Sequence, residues 1–210
     1  MTKHVKYPRT YHLPWSIGTS DDKTQKNDDN FLGKEVVVTL KMDGENTTMY
    51  NDKIHARSLD SSSHPSRSWV KGLWSKISYM IDDDTRICGE NLYAKHSIKY
   101  EELPTLFMVF SVWINGTCLS WKETEKYAAV LELHTVPVIF KGEYDKKAIE
   151  KAFKAFSDKH EGYVIRIEES FQQQSFSINV GKYVSPKFKQ IVNSSHGHWI
   201  SAKIEPNIVK

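Results

Sequence analysis

The chain has 210 residues, 39% hydrophobic and 26% charged, which is ample for a packed core and excludes a disordered polymer. A net charge of +3 excludes binding to nucleic acid by bulk charge alone, so any grip on phosphates must come from local arrangement. Two cysteines, Cys88 and Cys118, and a start without an apolar leader exclude a disulfide-framed secreted domain, so a soluble, cytoplasmic chain is expected.

Residues 1–34 read as an irregular arm. Its first part, Tyr7-Pro8-Arg9-Thr10-Tyr11-His12-Leu13-Pro14-Trp15, mixes prolines, aromatics and cations and is expected to lie over the domain, while 20–30 is a solvated polar loop. Val36 to Leu40 is a run of β-formers that ends on Lys41. Asp43-Gly44 follows, then an alternating stretch to Tyr50, and this pattern predicts a β-hairpin with the lysine at the end of a buried strand. A further strand is expected over 53–58 and a serine-rich link over 58–68. Val70, Leu73, Trp74, Ile77, Met80 and Ile81 then recur at helical spacing, and Asp82-Asp83-Asp84 closes that helix as a solvated loop.

Strands are expected over 85–91 and 106–113, with Asn115-Gly116 as a hairpin turn into 117–121. A helix over 122–133, a short strand over 136–140 and an amphipathic helix within 145–160 come next. The last of these places Ile149, Ala152, Phe153 and Phe156 on one face. Strands over 163–167 and 183–188 complete the reading. Antiparallel hairpins with interspersed helices make the chain α+β, and 1–210 is expected to be a single domain.

A lysine at the end of a buried strand is costly unless its charge is paired or its amine does chemistry. In the chemical version Lys41 attacks the α-phosphate of a nucleotide and keeps the monophosphate as a phosphoramidate; the alternative is a snorkelling hairpin lysine. Four further places combine charge with strand context: Arg57, Glu90, Glu161, and the pair Lys187 and Lys189. Taken singly each has a plain structural explanation. Arg57 is also explained as a surface strand residue, Glu90 as a partner of Lys95, Glu161 as a turn cap, and the two lysines as guards of an edge strand.

Together and in this order, these segments resemble the covalent nucleotidyltransferases, namely ATP-dependent DNA ligases, RNA ligases and mRNA-capping guanylyltransferases. Lys41-Met42-Asp43-Gly44 is similar to their nucleophile motif and Arg57-Ser58 to the next element. Gly89-Glu90 is similar to the third motif, Phe107 to Val112 to the aromatic strand after it, Glu161-Gly162-Tyr163-Val164 to the fourth and Lys187-Phe188-Lys189 to the fifth. The wording Gly89-Glu90-Asn91-Leu92-Tyr93-Ala94-Lys95-His96-Ser97-Ile98, followed by Tyr100 and Leu103-Pro104, most resembles the RNA ligases.

The resemblance implies a ligase adenylation domain of antiparallel sheets with flanking helices. Too few residues follow Lys189 for an OB-fold, so a protein partner is expected to replace the missing grip on a duplex. The implied activity is an ATP-dependent RNA ligase that joins 3′-hydroxyl and 5′-phosphate RNA ends through a lysyl-AMP and an adenylylated 5′ end. Its cofactors would be ATP and Mg²⁺ or Mn²⁺. Lys41 would be the nucleophile, Asp43 would orient it or the ribose, and Leu40 and Gly44 would line the nucleotide. Arg57 would contact the ribose or an end phosphate, and Phe110 would stack on adenine, with Phe107 as the alternative on that strand. Glu90 and Glu161 would hold metal, while Lys187 and Lys189 would bind the α-phosphate. Arg9 and His12 are either a packing arm or a reach toward the triphosphate. The alternatives are a DNA ligase, a guanylyltransferase, or a non-catalytic nucleic-acid-binding module of the same fold.

Overall fold

The structure, a computed structural model, describes residues 4–18, 21–61, 63–188 and 203–210. In chain order the elements are β1 (Tyr11–His12), β2 (Glu35–Lys41), β3 (Glu45–Met49), β4 (Ile54–Ala56), α1 (Ser68–Ile77), β5 (Thr85–Asn91), β6 (Phe107–Ile114) and β7 (Thr117–Cys118). They continue with α2 (Trp121–Val130), β8 (His134–Thr135), β9 (Val138–Glu143), α3 (Lys146–Lys154), β10 (Gly162–Ile167), β11 (Phe171–Gln172), α4 (Phe176–Asn179) and β12 (Val180–Val184). The fold is α+β, built on antiparallel sheets with few helices, and no barrel closes among the described residues. None of the described helices is long and apolar enough to cross a membrane.

The chain divides into two compact units. Among the described residues, one gathers 4–7, Asp43–Thr135 and 203–210, and the other Pro8–Met42 and 136–188. The first holds an antiparallel sheet in the order β7-β6-β5-β3-β4, with β8 added parallel to β6. Met49, Ile87, Phe107, Val109 and Val112 of the sheet pack with Val70 and Ile77 of α1 and Ala128 of α2 into one core. Asn115 and Gly116 have φ of 50° and 79°, the conformation that a two-residue hairpin requires, and β6 turns into β7 there as expected. Ser120 starts α2 with a reciprocal cap: its Oγ accepts from Glu123 N–H, and Glu123 Oε2 accepts from Ser120 N–H. Both cysteines are buried in this unit, and burial pushes the Cys88 thiol up.

The second unit is a sheet in the order β1-β12-β10-β2-β9, antiparallel except for the parallel pair β1 and β12. Its interior strand β2, between β10 and β9, is buried on both faces, which explains why Val36 to Leu40 shows no polar alternation. Helix α3, capped by Asp145 on the Lys147 and Ala148 amides, buries Ile149 and Phe153 and packs against β9.

Three local expectations are corrected. The predicted hairpin at Asp43-Gly44 does not form: β2 pairs with β10 and β9, whereas β3 pairs with β4 and β5. Gly44 does not take the positive φ of that turn type. Its role is close approach instead, since a Cβ there would lie 2.5 Å from the Asn91 carbonyl oxygen. The strand expected over 183–188 is in fact Val180–Val184, and 186–188 is helical. Pro186 lacks the N–H that a ladder needs. The N-terminal arm is not wholly irregular, because Tyr11 and His12 add a strand to β12.

Candidate active site

In the second unit, register places the chemistry on one face of the sheet. Lys41 lies opposite Gly162, which lies opposite Val184; in the next row Thr39 faces Val164, Val164 faces Lys182, and Lys182 faces His12. Directly paired residues share a face, and residues two apart share it as well. Lys41, Lys182 and His12 therefore project from the same side, while Leu40 points to the other and is 3% exposed. Gly162 contributes no side chain between them, and none would fit: a Cβ there would come 1.8 Å from the Tyr183 carbonyl oxygen.

Glu161, at the entry to β10, accepts from Lys41 Nζ at 2.5 Å, and the two side chains are 10% and 25% exposed. Its backbone carbonyl accepts from Ser185 N–H at 2.9 Å, which ties this turn to the end of β12. Asp22 serves Lys182 and His12. It stands 3.6 Å from Lys182 Nζ and 3.4 Å from His12 Nε2. His12 Nδ1 meets Ser16 Oγ at 2.7 Å, and that hydroxyl accepts from Val184 N–H at 2.9 Å. Burial holds the Lys182 ammonium below the usual lysine range, with Asp22 pulling the other way and Lys41 adding to the depression. Burial also lowers His12, and Lys182 adds to that effect. Two lysines and a largely neutral histidine thus share one face, with Glu161 and Asp22 as their carboxylate partners; an arriving phosphate would compete with those carboxylates for the two ammonium groups.

The first unit builds a second cluster. Asp43, 8% exposed, accepts two backbone amides on Oδ2, from Ser97 at 2.7 Å and Ile98 at 2.8 Å, and its own N–H donates to the Tyr100 hydroxyl at 3.0 Å. Gly44 N–H donates to Glu90 Oε1 at 3.2 Å, fixing the carboxylate of the β5 strand. Phe107 is fully buried against Gly89 and belongs to the core. Phe110 is different. Cys88 pairs with Ser111 and Gly89 with Val109, so Phe110 is the extra residue of a β-bulge. It is half-buried, with the Tyr7 ring edge-on at 5.0 Å. Arg57, just past β4, is exposed, as is Arg9.

The lysine pair of the sequence reading fares differently. Lys187 sits in the helical stretch, 68% exposed and paired with Asp158, and Lys189 lies outside the described residues. Lys182 lies outside the strand expected over 183–188; the signal for it is Gly181-Lys182-Tyr183-Val184, ahead of the ladder-breaking Pro186. Asp22 carried no signal at all, being one acid in a polar loop. Among the described residues no three metal-binding side chains gather.

The RNA ligase family profile matches residues 34–184. The chain belongs to the RNA ligase family. No curated protein sequence matches it, but solved structures share its fold. An archaeal ATP-dependent RNA ligase superimposes with a TM-score of 0.56 at 17% identity, covering 86% of this chain and 48% of the other. A Naegleria gruberi RNA ligase mutant with ATP and Mn gives 0.51 at 17%, covering 78% and 53%. A putative ATP-dependent DNA ligase from Aquifex aeolicus gives 0.50 at 21%, covering 73% and 44%. This RNA ligase-family chain thus spans about half the length of those proteins. At such identities the likeness is one of fold, and it agrees with the α+β nucleotidyltransferase architecture expected from the motifs.

Proposed function

We propose that the chain is the adenylylating domain of an ATP-dependent RNA ligase, acting on RNA ends, and that residues 1–210 work as one catalytic domain. The observation that carries this reading is Lys41 at the end of a buried interior strand, bonded to a buried glutamate and sharing its face with a second lysine. In the first step Lys41 Nζ bonds to the α-phosphorus of ATP while the bond to pyrophosphate breaks. The amine proton passes to Glu161 Oε2, the base already in contact with it. AMP then moves to a 5′-phosphate, forming a P–O–P linkage and releasing Lys41. Attack of a 3′-hydroxyl on that activated phosphorus makes the phosphodiester and expels AMP. Each step is a displacement at phosphorus, so alignment and charge neutralisation supply most of the rate.

The phosphate-binding role that the motifs give to Lys187 and Lys189 is assigned here to Lys182, the cation that shares the Lys41 face. Asp43 orients the reacting groups, Arg57 meets a phosphate or ribose, Phe110 stacks on adenine, and Leu40 and Gly44 line the nucleotide. Glu90 and Glu161 are the candidate ligands for Mg²⁺ or Mn²⁺. Such an ion takes one or two carboxylates together with substrate phosphates and water, so each carboxylate is a hard oxygen donor of the kind it accepts and a three-residue cluster is not needed. When bound, the ion would neutralise phosphate charge in the displacement. The neighbour solved with ATP and Mn supports this cofactor pair.

The test is incubation with α-labelled ATP and Mg²⁺, followed by denaturing electrophoresis. Label on the protein that vanishes in Lys41→Ala supports the proposal, and nicks that differ only in a ribose or deoxyribose 3′-end then separate RNA from DNA ligation. Label from GTP instead of ATP would indicate a guanylyltransferase. RNA binding without any adduct would indicate a non-catalytic module.

A further inference from the structure

Residues 203–210 belong to none of the motifs, yet they bind one segment of their own unit along its length. Lys95 N–H donates to the Glu205 carbonyl at 2.8 Å, Asn207 N–H to Tyr93 at 2.9 Å and Ile208 N–H to Tyr100 at 3.0 Å. Leu103 N–H donates to Ile208, and Lys210 N–H to Leu103, both at 3.0 Å. In the middle stands Asn207, 5% exposed. Its Nδ2 donates to the Leu92 carbonyl at 2.8 Å, and its Oδ1 accepts from Tyr100 N–H at 2.9 Å. Toward solvent, Glu205 pairs with Lys95 at 2.9 Å and Lys99 at 3.1 Å.

The segment gripped in this way, 93–103, is the one that holds Asp43. Ser97 and Ile98 supply the two amides on its carboxylate, and Tyr100 supplies the oxygen for its N–H. Residues 93–103 contain no strand or helix of their own, so no ladder of their own fixes these donors. The backbone bonds to 203–210 take that place. Asn207 is the buried brace, because replacing its amide removes the bonds it makes to the buried Leu92 carbonyl and to Tyr100 N–H.

We propose that Asn207 is a positioning residue: through Tyr100 and the 93–103 segment it sets the amides that orient Asp43. The inference rests on the reading of Lys41 as the adenylylated nucleophile. It extends the working apparatus to a segment far along the chain from Asp43 and outside every motif.

The experiment compares wild type, Asn207→Leu and Asn207→Ser in the full chain, each also carrying Asp43→Ala. Amide hydrogen exchange across 93–103 is read alongside the rate of Lys41 labelling as ATP is varied. Asn207→Leu is expected to speed exchange at Ser97 and Ile98 about tenfold or more, and to slow maximal labelling about tenfold. The ATP concentration at half-maximal rate should change less than about twofold, since orientation and not nucleotide affinity is lost. In the Asp43→Ala background the Asn207 substitutions should add nothing. Protected Ser97 and Ile98 amides in a slowed Asn207→Leu, or a loss that persists in full without Asp43, would overturn the proposal. Asn207→Ser keeps a small polar group and carries the test if Asn207→Leu does not fold. If the wild type takes no label, the nucleophile reading fails, and the exchange rates alone decide whether Asn207 braces the Asp43 amides.

Discussion

Replacing Lys182 with methionine separates the two candidate phosphate cations. The substitution keeps the apolar stem and removes one charge from the face that carries Lys41. A phosphate oxygen about 4 Å from an ammonium in a partly enclosed site, at an effective dielectric of about 20, gains about 4 kcal/mol of attraction. Water recovers part of this once the cation is gone, which leaves a loss of about 2.7–4 kcal/mol, or about 10²–10³ in rate. Lys187, 68% exposed, works against bulk solvent, where the same geometry gives only about 1 kcal/mol and salt screens it further. Labelling of Lys41 by α-labelled ATP should therefore fall at least about 100-fold in Lys182→Met and less than about fivefold in Lys187→Ala. Lys182→Met should change Tm little, because relief of the buried ammonium offsets the loss of its pairing with Asp22. Wild-type labelling by Lys182→Met, or an equal loss in both variants, would refute the assignment.

Gly162→Ala places a methyl group where the Tyr183 carbonyl stands, so the β10–β12 pairing must open. A cost of about 3 kcal/mol or more is expected, seen as a drop in Tm of about 6–12 °C; an unchanged melt would contradict the close approach. Phe107→Ala should destabilise by about 3–5 kcal/mol in urea titrations. Phe110→Ala should leave stability within about 1.5 kcal/mol and raise the KM for ATP about tenfold. Equal effects on ATP in both would remove Phe110 from the nucleotide site. His12 and His55 are both lowered by burial, so at mildly acidic pH the unfolded chain binds more protons than the folded one. Stability should accordingly fall as pH drops below about 6.5, by at most about 1.4 kcal/mol per pH unit per histidine, and His12→Gln should flatten that slope in melts between about pH 7 and 5.

The parts of the fold that were legible before the structure are those set by local chemistry. Asn115-Gly116 has one favoured geometry, and the chain uses it. The apolar run over 106–113 and the β-forming residues of 85–91 fix strands to within a residue. Asp43-Gly44 carries the same kind of signal and misleads, because its strands find their partners far along the chain and the glycine answers to the Asn91 carbonyl instead of a turn. For the candidate site, Lys41 with Glu161, and Glu90 near Gly44, follow the motif order. Lys182 does not, since a strand start misjudged by three residues hid it. The contribution of Asp22 and Asn207 depends on loops meeting other segments across long separations, which no local pattern encodes.

The buried cysteines of the first unit have a practical consequence. Cys88 lies on β5 and Cys118 on β7, both within the sheet and shielded from solvent, with the Cys88 thiol held in its unreactive protonated form. A maleimide in solution can reach Cys88 only when that sheet comes apart, so its slow alkylation counts opening events one by one. The chain therefore carries an intrinsic clock for the breathing of the sheet that bears Glu90.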